Sequence, residues 1–325
     1  MTAQADVVGA PGVILKDIAP RLALQAHQVE TSVKVELVDR LTAAGMPAIE
    51  VSSFVRPDLV PGLADAERVF ERIDRSRGTT LHCCVGNARG LQRAIDTGVD
   101  SAWFLLSADE EFSRNNTGRG TGEAIDLLER LARIADGTPT TLGTYVIFAW
   151  GGPGGPPRGP EAIERFADRL HAIGVSDWLL ADSIGYASPL QIRTTIKAAL
   201  EVNTADHLSV QVHDSRGMGL ANLVELVRLG LTHLDVSLGG SGGHPAYEGV
   251  AAGGICSEDA VQLLERMGIE TGVHLPSLIE TATWFADVVG VPSLGFVRRI
   301  GPVPGSDAQG GANAGAPTFD WQVEG

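Results

Sequence analysis

Residues 208–219 read Leu-Ser-Val-Gln-Val-His-Asp-Ser-Arg-Gly-Met-Gly, and this stretch decides the fold prediction. Apolar and polar residues alternate up to His213 and Asp214, and the pattern becomes helical after Gly217. We therefore predict a buried strand that carries an imidazole and a carboxylate at its carboxyl end. In a barrel of parallel strands, that end carries the reactive groups. One histidine at a strand tip is more often structural than catalytic, so the rest of the chain must decide.

The same strand-then-helix pattern occurs eight times along the chain. Short β-branched runs predict the strands, and longer stretches of helical period follow them. Eight such units predict an α/β fold, a (β/α)8 TIM barrel, with a doubly wound open sheet as the main alternative. A long polar loop is predicted before the helix at 122–135. The predicted strands are residues 13–18, 47–53, 79–85, 101–107, 141–149, 177–182, 208–213 and 232–237.

The chain is predicted to form one domain with a segment at either end. Residues 1–12 are an N-terminal arm, residues 13–301 the catalytic barrel, and residues 302–325 a flexible tail rich in Gly, Pro, Ala and Asp. Within the domain, residues 275–289 predict an extra C-terminal amphipathic helix. This helix is either a cap on the barrel or an oligomer face, so a homo-oligomer is left open.

Composition narrows the class of protein. The chain has 325 residues, 44% of them hydrophobic, and a net charge of −15, which argues against nucleic-acid or anionic-membrane partners. No apolar run is long enough to cross a bilayer, and the N-terminus lacks the pattern of a signal peptide. The three cysteines have no disulfide or zinc-site spacing. We expect a cytoplasmic protein that acts on a small anionic molecule bound by locally placed arginines.

Side chains that follow the predicted strands converge on one mouth of the barrel. Five potentially reactive groups lie after five different strands: Arg21, Glu50, Asp182, His213 and His244. We interpret them as catalytic candidates, because catalytic residues in this fold come from the ends of several strands. An arginine–carboxylate pair inside a barrel can equally be a structural ion pair, and that interpretation is left open.

Four motifs resemble those of the 3-hydroxy-3-methylglutaryl-CoA lyase branch of the pyruvate-carboxyltransferase-like TIM barrels. They are Ala19-Pro-Arg21-x-x-Leu-Gln25, Ile49-Glu50-Val-Ser-Ser-Phe-Val-Arg-Pro57, Ala181-Asp182-Ser-Ile-Gly185 and Val212-His213-Asp214-Ser-Arg-Gly217. They occur in the family's order, and the resemblance covers roughly residues 13–302. It implies the barrel fold and an enzyme that makes or breaks carbon–carbon bonds.

The resemblance also implies a divalent-cation site, from which this chain departs. The family's ligands are an Asp after the first motif's Arg, two histidines in His-x-His, and often an Asn in the loop after strand eight. The corresponding residues here are Leu22, Gln211, His213 and Gly254. One imidazole cannot hold a hard cation against water. We therefore expect the metal site to be lost and no cofactor to be needed, with CoA entering only as part of the substrate.

The resemblance assigns roles to the residues that remain. It implies that Arg21 stabilises the developing enolate, that Glu50 orients Arg21, and that Asp182 lies near the reacting centre. His244 lies near the position of the family's loop cysteine. Arg56 either binds a carboxylate or a CoA phosphate, or is a solvated surface arginine. The substrate-binding candidates are Gln25, Arg56, Asn116, Tyr186 and Gln211.

Three hypotheses for the function follow. The first is a metal-independent carbon–carbon lyase of the retro-aldol type, acting on a 3-hydroxyacyl-CoA or a related carboxylated substrate. Arg21 would stabilise the oxyanion, and His213 or Asp182 would act as acid and base. The second is a repurposed barrel that catalyses an isomerisation, cyclisation or hydrolysis. The third is a non-catalytic binding subunit.

Overall fold

The computed structural model describes residues 12–152, 159–242, 253–290 and 294–304. Gly12 is the one residue of the predicted N-terminal arm within these ranges, and the predicted tail lies outside them from residue 305 onward. The N-terminal arm and the flexibility of the tail therefore stay predictions. In the described residues, no helix is long and apolar enough to span a membrane.

Eight parallel strands form a closed barrel in chain order, and β8 pairs with β1. This result confirms the (β/α)8 prediction and rules out the open sheet. The strands are β1 Ile14–Asp17, β2 Ala48–Phe54, β3 Thr80–Val85, β4 Ser101–Ser107, β5 Thr141–Ile147, β6 Trp178–Asp182, β7 Leu208–Val212 and β8 His233–Val236.

Helices surround the barrel and separate its strands. They are α1 Ala19–Leu22, α2 Thr31–Ala43, α3 Ala66–Phe70, α4 Ala88–Asp96, α5 Glu110–Thr117, α6 Thr121–Ala135, α7 Glu161–Ala172, α8 Pro189–Val202, α9 Gly219–Arg228, α10 Ser257–Arg266, α11 Leu275–Val289 and α12 Phe296–Ile300. The extra helix α11 is confirmed, and Arg40 of α2 stacks on its Trp284 at 4.7 Å. Helix α11 therefore packs on the outside of the barrel.

The prediction of a long polar loop after β4 is wrong in part, because this segment contains helix α5. The side chain of Asp109 accepts a hydrogen bond from the backbone N–H of Phe112 at 2.9 Å and caps the helix. Glu110 and Arg114 then pair at 2.7 Å one turn apart. Such capping and i,i+4 pairing favour a helix in a polar segment that lacks an apolar stripe.

Two cores lie on opposite faces of the sheet. The outer core, between strands and helices, consists of apolar side chains. The inner core fills the barrel. Register partners on neighbouring strands point to the same face of the sheet, so Lys16 faces the interior with Asp235, and Leu105 with Tyr145. Because side chains alternate along a strand, Ile147 faces the interior with Tyr145. The apolar inner cluster is Cys84, Trp103, Tyr145, Ile147, Phe148, Leu179, Ala181 and Ile184.

The chain that returns after residue 252 is tied to the strand ends. Gly254 forms a bridge with His213, and Cys256 forms one with Ser237. The hydroxyl of Ser257 donates to the buried carboxyl of Asp17 at 2.6 Å. These contacts hold the start of α10 against the mouth of the barrel.

Candidate active site

Arg21 and Glu50 form a buried ion pair at the mouth, as the sequence predicted. Arg21 lies on the short helix α1 directly after β1, and its Nε donates to Oε1 of Glu50 at 2.5 Å. Burial alone would raise the pKa of Glu50, but the Arg21 guanidinium, followed by Lys16, outweighs burial and holds that pKa below its usual value. Glu50 therefore stays ionised and fixes the guanidinium.

Three residues that the sequence analysis missed support this pair. The Tyr145 hydroxyl donates to Oε2 of Glu50 at 2.5 Å, and Lys16 Nζ lies 3.2 Å from the Tyr145 oxygen. Lys16 also pairs with Asp235 Oδ1 at 3.2 Å. Charged residues inside predicted strands, Lys16 in β1 and Asp235 in β8, are the sequence signal that could have identified these two. We call Lys16, Arg21, Glu50 and Asp235 the charged wall.

His213 follows β7 and contacts Gln211 two residues earlier. The amide nitrogen of Gln211 lies 3.2 Å from Nε2 of His213, and because an amide nitrogen only donates, Nε2 is the acceptor. Both side chains are buried. Another donor, such as a hydroxyl, could therefore replace the Gln211 N–H and donate to the same ring nitrogen.

Asp182, at the end of β6, anchors its own loop. Its Oδ1 accepts from the backbone N–H of Tyr186 at 2.8 Å, and its Oδ2 accepts from that of Ala187 at 3.0 Å. Burial outweighs these bonds and raises the pKa of Asp182 to about 6. The backbone N–H of His213 donates to the Asp182 carbonyl at 3.2 Å, so the two candidates are neighbours.

The four positions at which the family holds a cation do not fit one here. Leu22 presents only carbon, and it packs against Gly242 so closely that a Cβ built on Gly242 would lie 2.6 Å from Leu22 Cγ. Gly254 has no side chain, and the Gln211 amide points its N–H at Nε2 of His213. Among the described residues there is no group of three His, Cys, Asp or Glu side chains able to hold a metal ion.

The remaining predicted residues have different locations. Arg56 is 66% exposed and paired with Asp58, so it is a surface arginine in this structure. Gln25 is half-buried one turn after Arg21. Tyr186 is half-buried, with the Arg216 guanidinium 4.8 Å above its ring. Asn116 lies in α5, and its side chain is outside the description, as is all of His244.

Strands β4 and β5 contribute an apolar surface that the sequence analysis also missed. Leu105 faces the interior yet is 39% exposed, so the mouth is open at this point. Phe148 packs edge-to-face on Phe112 with ring centroids 4.6 Å apart, and it has a φ of 59°, which is unusual for a bulky residue. We call Leu105, Phe112, Ile147 and Phe148 the apolar wall.

Comparison with known proteins places these features in a family. The family described as HMGL-like matches residues 13–284 of the chain. The chain belongs to this family. The predicted family and fold are therefore confirmed, and with them the prediction of a lyase.

Named relatives cover nearly the whole barrel. Hydroxymethylglutaryl-CoA lyase YngG of Bacillus subtilis is 35% identical over 282 residues, which are 86% of this chain and 94% of that protein. An (R)-citramalyl-CoA lyase of Chloroflexus aurantiacus is 32% identical over 306 residues, 90% of this chain and 95% of that protein. The crystal structure of the B. subtilis HMG-CoA lyase superimposes with a TM-score of 0.86 at 33% identity, covering 90% and 99% of the two chains.

Proposed function

We propose that this protein cleaves a carbon–carbon bond of a 3-hydroxyacyl-CoA by a retro-aldol reaction that uses no divalent cation. The Arg21–Glu50 pair at the barrel mouth carries the proposal, because it supplies a fixed cation where the fold places its chemistry. The relatives named as lyases of HMG-CoA and of (R)-citramalyl-CoA support CoA as part of the substrate.

The reaction needs a base, an oxyanion stabiliser and a proton donor. The base removes the proton of the 3-hydroxyl, the electron pair left on that oxygen forms the carbonyl with carbon 3, and the bond between carbons 2 and 3 breaks. Its electrons move onto the thioester as an enolate, to whose oxygen Arg21 donates. Return of the proton to carbon 2 gives a shortened acyl-CoA and an oxo compound, so no other reactant is needed.

His213 is the better supported of the two bases. Its Nε2 already accepts a hydrogen bond from Gln211, and a substrate hydroxyl that displaced this amide would donate to the same atom. Both oxygens of Asp182 are engaged by backbone N–H groups of its own loop. We therefore assign proton transfer to His213, contact with the substrate to Gln211, and support of the loop beside His213 to Asp182.

The donor set supports a reaction without a metal ion. Leu22 and Gly254 offer no side-chain ligand atoms, and Gln211 replaces a histidine with an amide. In metal-assisted cleavage, the cation makes the hydroxyl more acidic and orients it. In this chain His213 and Gln211 would orient the hydroxyl instead, and general acid–base help of this kind contributes about 10²–10⁴-fold.

Assays of the purified protein with HMG-CoA and (R)-citramalyl-CoA test the proposal. We expect acyl-CoA and oxo-acid products from at least one of them at an unchanged rate in EDTA and in added Mg²⁺ or Mn²⁺. Loss of turnover in EDTA would contradict the metal-free reaction. Absence of turnover on both substrates and on other 3-hydroxyacyl-CoAs would contradict the lyase and favour a different reaction or a binding role.

A second experiment restores the missing ligands. The double variant Leu22→Asp with Gln211→His regains two of the three missing ligands beside His213, and we expect it to bind Mn²⁺ in an equilibrium titration where the wild type does not. The matched control, Leu22→Asn with Gln211→Asn, disturbs the same packing without introducing a carboxylate or an imidazole. Binding of Mn²⁺ by the wild type would contradict the loss of the site.

A further inference from the structure

Lys16 and Asp235 form a buried ion pair below Arg21, inside the barrel. They are register partners on β1 and β8, and both are at most 5% exposed. The Lys16 ammonium lies over the Trp103 ring at 4.6 Å and near the Tyr145 ring at 5.2 Å. Its position is therefore fixed by two ring faces, one hydroxyl and one carboxylate.

Such a pair contributes little to stability. Removing two charges from water costs several kcal/mol each, and apolar residues of similar volume often stabilise a core as well or better. The neighbouring inner positions of this barrel are filled in that way, by Trp103 and Leu179 among others. A role in the chemistry at the mouth would explain why this pair is charged.

The donors and acceptors around the Tyr145 hydroxyl indicate a role for Lys16. The Tyr145 hydroxyl has one proton and two carboxylate acceptors, Glu50 Oε2 at 2.5 Å and Asp235 Oδ2 at 3.3 Å. Lys16 has only donors, and it reaches both the Tyr145 oxygen and Asp235 Oδ1 at 3.2 Å. It therefore satisfies Asp235 and leaves the Tyr145 proton to Glu50.

We propose that Lys16 is a positioning residue: by neutralising Asp235 it directs the Tyr145 hydroxyl to Glu50 and so holds the carboxylate that fixes Arg21. The chain of contacts runs from Asp235 through Lys16, Tyr145 and Glu50 to Arg21, and each link is one of the distances above. This inference rests on the proposed function for the role of Arg21, but not for the contacts themselves.

Other titratable groups near Lys16 do not take over its role. His82 faces it from β3, and burial, followed by the Lys16 charge, lowers the pKa of His82 to about 3, so that imidazole is neutral. Its Nδ1 accepts from the Trp103 indole N–H at 2.8 Å. Cys84 is a thiol, because burial raises its pKa far above neutrality. Lys16 is thus the nearest cation to Asp235 among the described side chains.

The chain offers a matched control for this pair. Lys34 and Asp65 form another buried Lys–Asp ion pair, between α2 and the segment before α3, and Lys34 also donates to the Gly62 carbonyl at 2.7 Å. Within the described part of the chain, this pair contacts neither Tyr145 nor Glu50. Losing Lys34 should therefore reproduce the cost of an uncompensated buried carboxylate without moving Arg21.

Crystal structures at pH 8.5 provide the first test, because this pH lies above the Asp235 pKa of about 6 and leaves room for the rise in that pKa that the loss of Lys16 causes. In Lys16→Met we expect the Tyr145 hydroxyl to turn to Asp235 and the Glu50–Arg21 pair to shift, whereas Lys34→Met keeps both. Asp235→Asn and the double variant Lys16→Met/Asp235→Asn should keep the Tyr145–Glu50 bond, because the competing carboxylate is gone. An unchanged Tyr145–Glu50–Arg21 arrangement in Lys16→Met would overturn the inference.

If Lys16→Met does not fold, Asp235→Asn and the double variant carry the test. A displaced Arg21 in both of them overturns the inference, and retention of the Tyr145–Glu50 bond in both supports it. These structures test whether Lys16 positions Glu50 and Arg21 even if the wild type cleaves neither CoA ester. A failure of the proposed function can therefore be distinguished from a failure of this inference.

Kinetics provide the second test where the wild type is active. A displacement of a reacting group by about 1 Å can cost about 100-fold in activity. We expect kcat of Lys16→Met to fall by that factor with KM within about threefold, and the double variant to recover most of it. Equal losses in Lys16→Met and Lys34→Met would show a structural role only and would overturn the inference.

Discussion

The two sides of the barrel mouth are built for different tasks. The charged wall, from β1, β2, β8 and α1, holds two ion pairs, Arg21–Glu50 and Lys16–Asp235, which the Tyr145 hydroxyl connects. The apolar wall, from β4, β5 and α5, presents carbon, and Leu105 is open to solvent. Tyr145 touches both, since its ring lies in the apolar inner cluster and its hydroxyl in the charged network. Under the proposed function, we expect bonds to change beside the charged wall and an apolar part of the substrate to bind beside the other.

Removing the Arg21 charge should have the largest effect on both activity and stability. We expect Arg21→Gln to lower kcat/KM by about 10²–10³-fold, the usual effect of losing one oxyanion donor. The same change leaves Glu50 buried without its cation and should cost about 3–5 kcal/mol of unfolding free energy. Steady-state kinetics and chemical denaturation measure the two effects.

The double variant Arg21→Gln/Glu50→Gln separates these losses. It removes both charges, so stability should largely return while activity stays low. Recovery of activity along with stability would mean that the pair is structural and that the oxyanion is stabilised elsewhere.

Shortening the apolar wall should have a smaller effect of a different kind. Leu105→Ala removes carbon from an open part of the mouth, and a pocket methylene is worth at least about tenfold in discrimination. We expect KM to rise by about tenfold with kcat nearly unchanged. Leu190→Ala, at an exposed apolar residue on α8, is the control. A fall in kcat rather than a rise in KM would contradict the division between the walls.

The smallest expected effect is on the pH dependence of stability. Burial raises the pKa of Asp235 to about 6, against the opposing charge of Lys16. Between about pH 4 and pH 6 the native state therefore holds a proton on Asp235 that the unfolded chain has already released. The stability that this proton contributes is fully present below about pH 4 and is lost as pH rises through about 6. Asp235→Asn should flatten the fall in melting temperature between pH 5 and 8.

Asp65→Asn is the control for this titration. Its Lys34 partner and its hydrogen bonds outweigh burial and lower the pKa of Asp65, so that this group is ionised in both states above pH 5. The slope between pH 5 and 8 should therefore be unchanged in this variant. An equal slope in Asp235→Asn and the wild type would contradict the assignment.

Local patterns in the sequence were enough to predict the barrel. Strand and helix periods are properties of short segments, and eight repeats leave few architectures open. The convergence of Arg21 and Glu50 followed from the same count, because parallel strand ends share one face. Helix α5 was missed because its support comes from the Asp109 cap and from Glu110–Arg114 pairing rather than from an apolar stripe.

Contacts between distant strands could not be predicted in this way. Lys16, Tyr145 and Asp235 are spread over most of the chain, and their meeting depends on the register of β1 with β8 and on the width of the barrel. Asp182 was predicted as a base because it follows a strand. Its engagement by the Tyr186 and Ala187 backbone depends on a turn geometry that residue types alone do not specify.

The contact between Leu22 and Gly242 has an evolutionary consequence. Any side chain at 242 would collide with Leu22, since even a Cβ there would lie 2.6 Å from Cγ. Gly242 itself has a φ of 109°, which favours glycine. A larger residue at 242 therefore becomes acceptable only after residue 22 has become smaller and the loop has changed shape. We therefore expect substitutions at 22 and 242 to be non-additive in stability, with the change at 22 tolerated first.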